Sequence, residues 1–182
     1  MSAIETCCHS ALNQPRLDRR GLLGLLGGGA ALLGAGLRPG LALAAGGTDA
    51  LLLNCIDYRL TGHTERYMSG RGMAGKYDQI VLAGAALGAK NDKFPAWGTT
   101  FMDHVQVALD LHNIHKVIVM DHRDCGAYRV ILGKDLAADP KEELAAHTRQ
   151  MQALKADIAK KHPKLDVELL LMGLDGKVET VA

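Results

Sequence analysis

His122 and Cys125 lie three residues apart in the run Asp121-His122-Arg123-Asp124-Cys125-Gly126-Ala127. Just before it comes the apolar stretch Lys116-Val117-Ile118-Val119-Met120, so the pair falls where a strand ends and the chain turns. An imidazole and a thiolate at that spacing can both face one metal ion. A third soft ligand is Cys55, in Asn54-Cys55-Ile56-Asp57-Tyr58-Arg59, which also follows an apolar run. Structural zinc sites are closed by four protein ligands, usually as two short pairs. One short pair and a distant cysteine instead leave a fourth position open, the catalytic arrangement in which zinc lowers the pKa of bound water to about 7. Two thiolates give the metal more electron density than imidazoles would, so that water needs a hydrogen-bond acceptor. Asp57 could serve, with Arg59 holding it by a bidentate pair and keeping it out of the open position. A disulfide between Cys55 and Cys125 is the competing expectation in an oxidising compartment, although it gives His122 no part.

The elements that would carry these residues alternate strand and helix. Ala50–Cys55 reads as a first strand, Asp78–Ala83 as a second, Lys116–Met120 as a third and Asp166–Met172 as a fourth. Their unbroken apolar character fits parallel strands covered on both faces. Between them, residues 60–71 and the face made by Phe101, Val105, Ala108, Leu109 and His112 predict helices, and Gly126–Leu132 predicts a short one beside Cys125. Asp139-Pro140-Lys141-Glu142 is a strong helix start, and Leu144, Thr148, Met151 and Ile158 continue at helical spacing. Gly84-Ala85-Ala86 is a small-residue run that allows close packing, and Ala89–Lys93 reads as a polar link. Asp175-Gly176 turns the chain into a short strand at Lys177–Val181, paired antiparallel. The expected fold is α/β: a mainly parallel four-stranded sheet flanked by helices, with a short antiparallel C-terminal edge strand.

The first 44 residues read as an export signal. Arg19-Arg20 precede a glycine-rich uncharged run, residues 21–37, and Ala42-Leu43-Ala44 offers a cleavage site. The paired arginines, the weakly hydrophobic core and Arg38 just beyond it match the twin-arginine type, which predicts a periplasmic protein. At 17 residues the run is at the lower edge of the ~17–25 needed to span a bilayer, so a retained anchor is the alternative. The domain is then 45–182, with no stable membrane span after cleavage. Cys7 and Cys8 leave with the signal, as do four arginines, Glu5 and Asp18, and 17 basic residues remain against 18 acidic. No basic block survives to suggest nucleic acid or anionic lipid, which points to a small-molecule partner. The twin-arginine route, as that likeness implies, exports folded proteins, so metal could be loaded in the cytoplasm before export.

Cys55-x-Asp57-x-Arg59 together with His122-x-x-Cys125-Gly126 resembles the β-class carbonic anhydrases. The resemblance covers roughly Leu51 to Gly133. It implies zinc held by Cys55, His122 and Cys125, an Asp57–Arg59 catalytic dyad, and reversible hydration of carbon dioxide to bicarbonate through zinc-bound hydroxide. Relatives of the fold hydrolyse carbonyl sulfide or carbon disulfide, and a non-catalytic exported module is a further alternative. Asp121, Arg123, Tyr58 and the run Leu82-Ala83-Gly84-Ala85-Ala86 replace the family's usual residues, which implies a reshaped cavity. A homo-oligomer is a family expectation, though the helical arm that helps build the family's dimer would be absent. His63, just after the first motif, is a candidate proton shuttle. His104, His112, His115, His147 and His162 read as surface or packed residues.

Overall fold

The computed structural model describes residues 47–182, and the expected signal over 1–44 lies outside them. Strand β1 (Ala50–Asn54) is buried at every position and pairs in parallel on both sides, with β2 (Tyr77–Val81) and β3 (Lys116–His122). Strand β4 (Asp166–Met172) pairs parallel to β3, and β5 (Val178–Thr180) closes the edge antiparallel to β4, giving the order β2-β1-β3-β4-β5. The expected α/β architecture is therefore present. Alternation of the pleat divides the apolar runs between two layers. Leu51, Leu53, Val117, Val119, Leu169 and Leu171 face one helical layer, while Leu52, Ile118, Met120, Leu170 and Met172 face the other.

Helices α1 (Thr61–Gly70), α3 (Pro95–His112), α4 (Gly126–Leu132) and α5 (Pro140–Lys161) fall where the sequence predicts them. The α5 start is as expected, with Asp139 Oδ1 accepting the N–H groups of Lys141 (3.0 Å) and Glu142 (3.1 Å). Three differences have physical reasons. A short helix, α2 (Ala85–Lys90), replaces the small-residue run and part of the polar link. Six residues show no helical period, and its small side chains serve close approach: a Cβ at Gly88 would stand 2.4 Å from the Ala83 carbonyl oxygen. Secondly, β3 runs past its apolar stretch, pairing Asp121 with Leu171 and His122 with Met172, so His122 is its last residue. Thirdly, α5 buries Glu143, Ala146 and His147, while Leu144 and Thr148 are only half-buried. Among the described residues no helix is long and apolar enough to cross a membrane.

Candidate metal centre

Parallel pairing of β1 and β3 aligns Asn54 with Met120, so the C-terminal ends of the two strands leave the sheet side by side. Cys55 is the first residue beyond β1, and His122 ends β3. The chain then passes through Asp124, at φ +53°, to Cys125, which precedes α4. One donor atom from each of Cys55, His122 and Cys125 lies within 4.8 Å of the others, and all three residues are buried. Both cysteines are free, with Sγ atoms 3.9 Å apart. Tetrahedral zinc with Zn–S bonds near 2.3 Å would hold two sulfurs about 3.8 Å apart, so the spacing fits a metal. The His122 Nδ1 lies 2.8 Å from the Arg123 carbonyl oxygen, which can only accept, so Nδ1 carries a proton. That leaves Nε2 as the free donor atom, buried without a hydrogen-bond partner. An orphaned imidazole nitrogen between two thiols is costly unless something binds it. The donor set suits a thiophilic divalent ion.

The metal-free electrostatics are asymmetric. The Cys125 thiol lies within hydrogen-bond reach of Cys55; against the cost of burial, this contact, His122 and the Gly84 N–H (3.2 Å) lower the Cys55 pKa to about 4. Beside that thiolate, Cys125 is pushed up, and burial pushes it further. The N–H groups at the start of α4 pull Cys125 down, but its contact with Cys55 outweighs them. Burial works against a charged His122, yet its contact with the Cys55 thiolate raises its pKa overall. Binding requires both thiolates and a neutral imidazole nitrogen. Uptake of Zn2+ or Cd2+ is therefore expected to release protons, and to release more as falling pH protonates the three donors. Titration calorimetry in buffers of different ionisation enthalpy reads this directly. Uptake that releases no proton at any pH would show that the thiols and the imidazole are not the ligands.

Asp57 and Arg59 meet the cluster through a turn. The Leu60 N–H donates to the Asp57 carbonyl at 3.0 Å, and Asp57 Oδ1 accepts the Arg59 N–H at 3.0 Å. The guanidinium binds both carboxylate oxygens, with Nε 3.0 Å from Oδ1 and Nη2 2.7 Å from Oδ2. It also donates to Asp124, through Nη1 to Oδ2 (2.9 Å) and Nη2 to the carbonyl (3.0 Å). Arg59 thus ties the Cys55 loop to the His122–Cys125 turn. Its hydrogen bonds hold the Asp57 carboxyl below the usual carboxylate range despite partial burial. Asp57 Oδ2 stands 3.9 Å from His122 Nε2, placing an ionised acceptor at the edge of the cluster.

Cys55, Asp57 and Cys125 line a cleft of about 320 Å3. Its other walls are apolar: Ile56, Ala83, Val130, Ile131 and the stacked rings of Phe94 and Trp97, 4.3 Å between centroids. His63 is not among the lining residues. Its ring pairs with Arg66 at 3.0 Å and abuts Gly176, where an added Cβ would lie 2.2 Å from Nδ1. Sequence reasoning missed the polar support behind the cluster. Asp121 Oδ2 accepts from Tyr128 (2.6 Å) and His147 (2.7 Å), and Asp121 Oδ1 accepts the Ala86 N–H (2.9 Å). Glu143 accepts the Asp124 N–H. The available signal was spacing: 143, 147, 151, 154 and 158 form one helical face, on which a Glu and a His stand in line with apolar residues.

Residues 45–182 match the model of a family described as "Putative carbonic anhydrase". The chain is 38% identical over 133 residues to an uncharacterised protein of Rickettsia conorii, covering 73% of this chain and 72% of that one. It is 37% identical over 133 residues to one of Rickettsia bellii, covering 73% and 81%. Solved structures with some likeness include a carbonic anhydrase from Glaciozyma antarctica, with TM-score 0.47, 18% identity, and 75% and 83% of the two chains covered. The β-carbonic anhydrase CafD of Aspergillus fumigatus gives TM-score 0.48 at 15% identity, covering 75% and 91%.

Proposed function

The chain belongs to the carbonic anhydrase family whose model matches residues 45–182, and from that premise we propose that it is a zinc enzyme hydrating carbon dioxide reversibly to bicarbonate. Cys55, His122 and Cys125 would hold the zinc. When bound, zinc supplies a Lewis acid that brings the pKa of water to about 7. The chain's own residues do the rest. Asp57, kept ionised and aimed by Arg59, is the acceptor that orients the attacking water's proton at Oδ2. With both carboxylate oxygens engaged by Arg59, Asp57 is restrained from becoming a fourth ligand, which argues against a closed, non-catalytic site. The apolar walls suit an uncharged substrate.

The observation that carries this reading is the convergence of three buried donors, one an orphaned imidazole nitrogen, beside an ionised carboxylate on an apolar cleft. Apart from Asp57 and the thiols, the cleft residues carry no polar side chain able to grip a carbonate but the Trp97 indole N–H. This supports a second reading, hydrolysis of carbonyl sulfide or carbon disulfide. Zinc content with stopped-flow hydration of carbon dioxide, run beside carbonyl sulfide hydrolysis, separates them. One zinc per chain with rapid hydration is the expected result. Zinc with sulfide release alone favours the second reading, and zinc with neither activity sinks the enzyme.

The proposal includes twin-arginine export to the periplasm, supported by Arg19-Arg20 and the glycine-rich run behind them. N-terminal sequencing of the exported chain tests it, with a start near Ala45 expected. A homo-oligomer is supported by the exposure of Ile56 and Val130 at the cleft, and sedimentation would test it.

A further inference from the structure

Two buried polar side chains of α5, one turn apart, grip the segment that carries two of the metal donors. Glu143 is 4% exposed and His147 1%. Glu143 Oε1 accepts the Asp124 N–H at 2.6 Å, and Glu143 Oε2 accepts from Arg123 Nη1 at 3.3 Å. His147 Nδ1 pairs with Asp121 Oδ2 at 2.7 Å. The residue before His122 and the residue before Cys125 are thus each fixed from the same helix. Asp124 is a non-glycine residue in the left-handed region, which Asp tolerates better than most L side chains but which its partners here hold in place. Arg59 binds its carbonyl and carboxylate from the β1 side, and Glu143 binds its N–H from the α5 side. Arg123 extends the grip, donating also to the Pro140 carbonyl at 3.0 Å and to Glu179 on β5. A carboxylate this deeply buried is poor value for stability alone, since an apolar residue could pack α5 onto the sheet without the desolvation cost.

We propose that Glu143 is a positioning residue, supported by His147, that sets the spacing and direction of the His122 and Cys125 donor atoms and so the affinity and geometry of the metal site. Neither residue belongs to the cleft, and both act through the turn. The inference rests on the metal reading above. Outer partners of this kind typically shift metal affinity by about 10–100-fold.

The test is zinc competition against a chromogenic chelator, with the absorption spectrum of the cobalt-substituted protein as a second readout. Glu143→Ala is expected to weaken zinc by about tenfold to a hundredfold and to alter the cobalt spectrum. Glu143→Gln, which keeps an acceptor for the Asp124 N–H, is expected to restore most of both. Met151→Ala, on the same buried face but remote from the turn, is the control: it lowers the melting temperature and leaves both readouts at wild-type values. Glu143→Ala behaving like Met151→Ala would overturn the proposal and make Glu143 a packing brace. If Glu143→Ala does not fold, Glu143→Asp decides the matter, because it keeps the charge but withdraws the carboxylate by one methylene. A fall of about tenfold then supports positioning, and unchanged affinity refutes it. A wild-type chain that takes up no zinc would sink the metal reading itself, and this inference with it.

Discussion

His122→Ala is expected to abolish metal retention and, with it, hydration of carbon dioxide above the buffer background. Three protein donors converge, and the imidazole is the one whose donor atom is orphaned without an ion. Zinc sites built from several such ligands bind with apparent free energies of about 10–16 kcal/mol. Removing one ligand of three should therefore cost about 3–5 kcal/mol, or roughly 10²–10⁴ in affinity. Dialysis against a weak chelator should leave the wild type with about one zinc per chain and the variant with almost none. The fold should survive, because β3 stays paired to β1 and β4 through its backbone, whatever side chain ends it. Circular dichroism checks that. Cys125→Ser is the companion variant, replacing a soft donor by a hard one with a much higher pKa, and should behave the same way. Full zinc content in His122→Ala would mean that the ion sits elsewhere.

Much of this was readable from residue order. Cys55, Asp57, Arg59, His122 and Cys125 could be singled out because their types are chemically marked and each follows an unbroken apolar run. Parallel strands buried on both faces write themselves as such runs, and parallel pairing brings successive strand ends to one edge of the sheet. What could not be read is local or indirect. Helix α2 is too short to show a period, and apart from Leu87 its buried residues are alanine and glycine, which carry little pattern. The approach of Asp57 depends on a side-chain-to-backbone turn with Arg59, which no residue period announces. Glu143 and His147 look like ordinary members of a charged helix until α5 is docked and their partners at 121 and 124 appear. Asp121 is the instructive case. It departs from the resembled family's pattern, and the structure gives it three hydrogen bonds, from α2, α4 and α5, directly behind His122.

Asp57→Asn separates holding the metal from using it. The substitution keeps shape but removes the charge and half the acceptor capacity that Arg59 now orients. Zinc should remain at about one per chain, while the catalytic rate falls about 10²–10⁴-fold, the usual loss when a positioned acid–base group is removed. Zinc lost together with activity would make Asp57 a fourth ligand; an unchanged rate would refute its part in the chemistry. The pH dependence adds a sign. Because Arg59 depresses the carboxyl in the folded chain, Asp57 stays ionised below the range where a free carboxylate gains its proton. The stabilisation from this pair is present above the ordinary carboxylate range and is lost only as pH falls through the depressed value. Any loss of activity between pH 8 and pH 6 must therefore come from another group. Arg59→Ala should return the Asp57 pKa toward its ordinary value. It should also release Asp124, since the same guanidinium holds the turn between the two donors. Its loss in rate should consequently exceed that of Asp57→Asn and, unlike it, be accompanied by weaker zinc binding. Arg59→Ala with wild-type zinc affinity would show that Arg59 serves Asp57 alone.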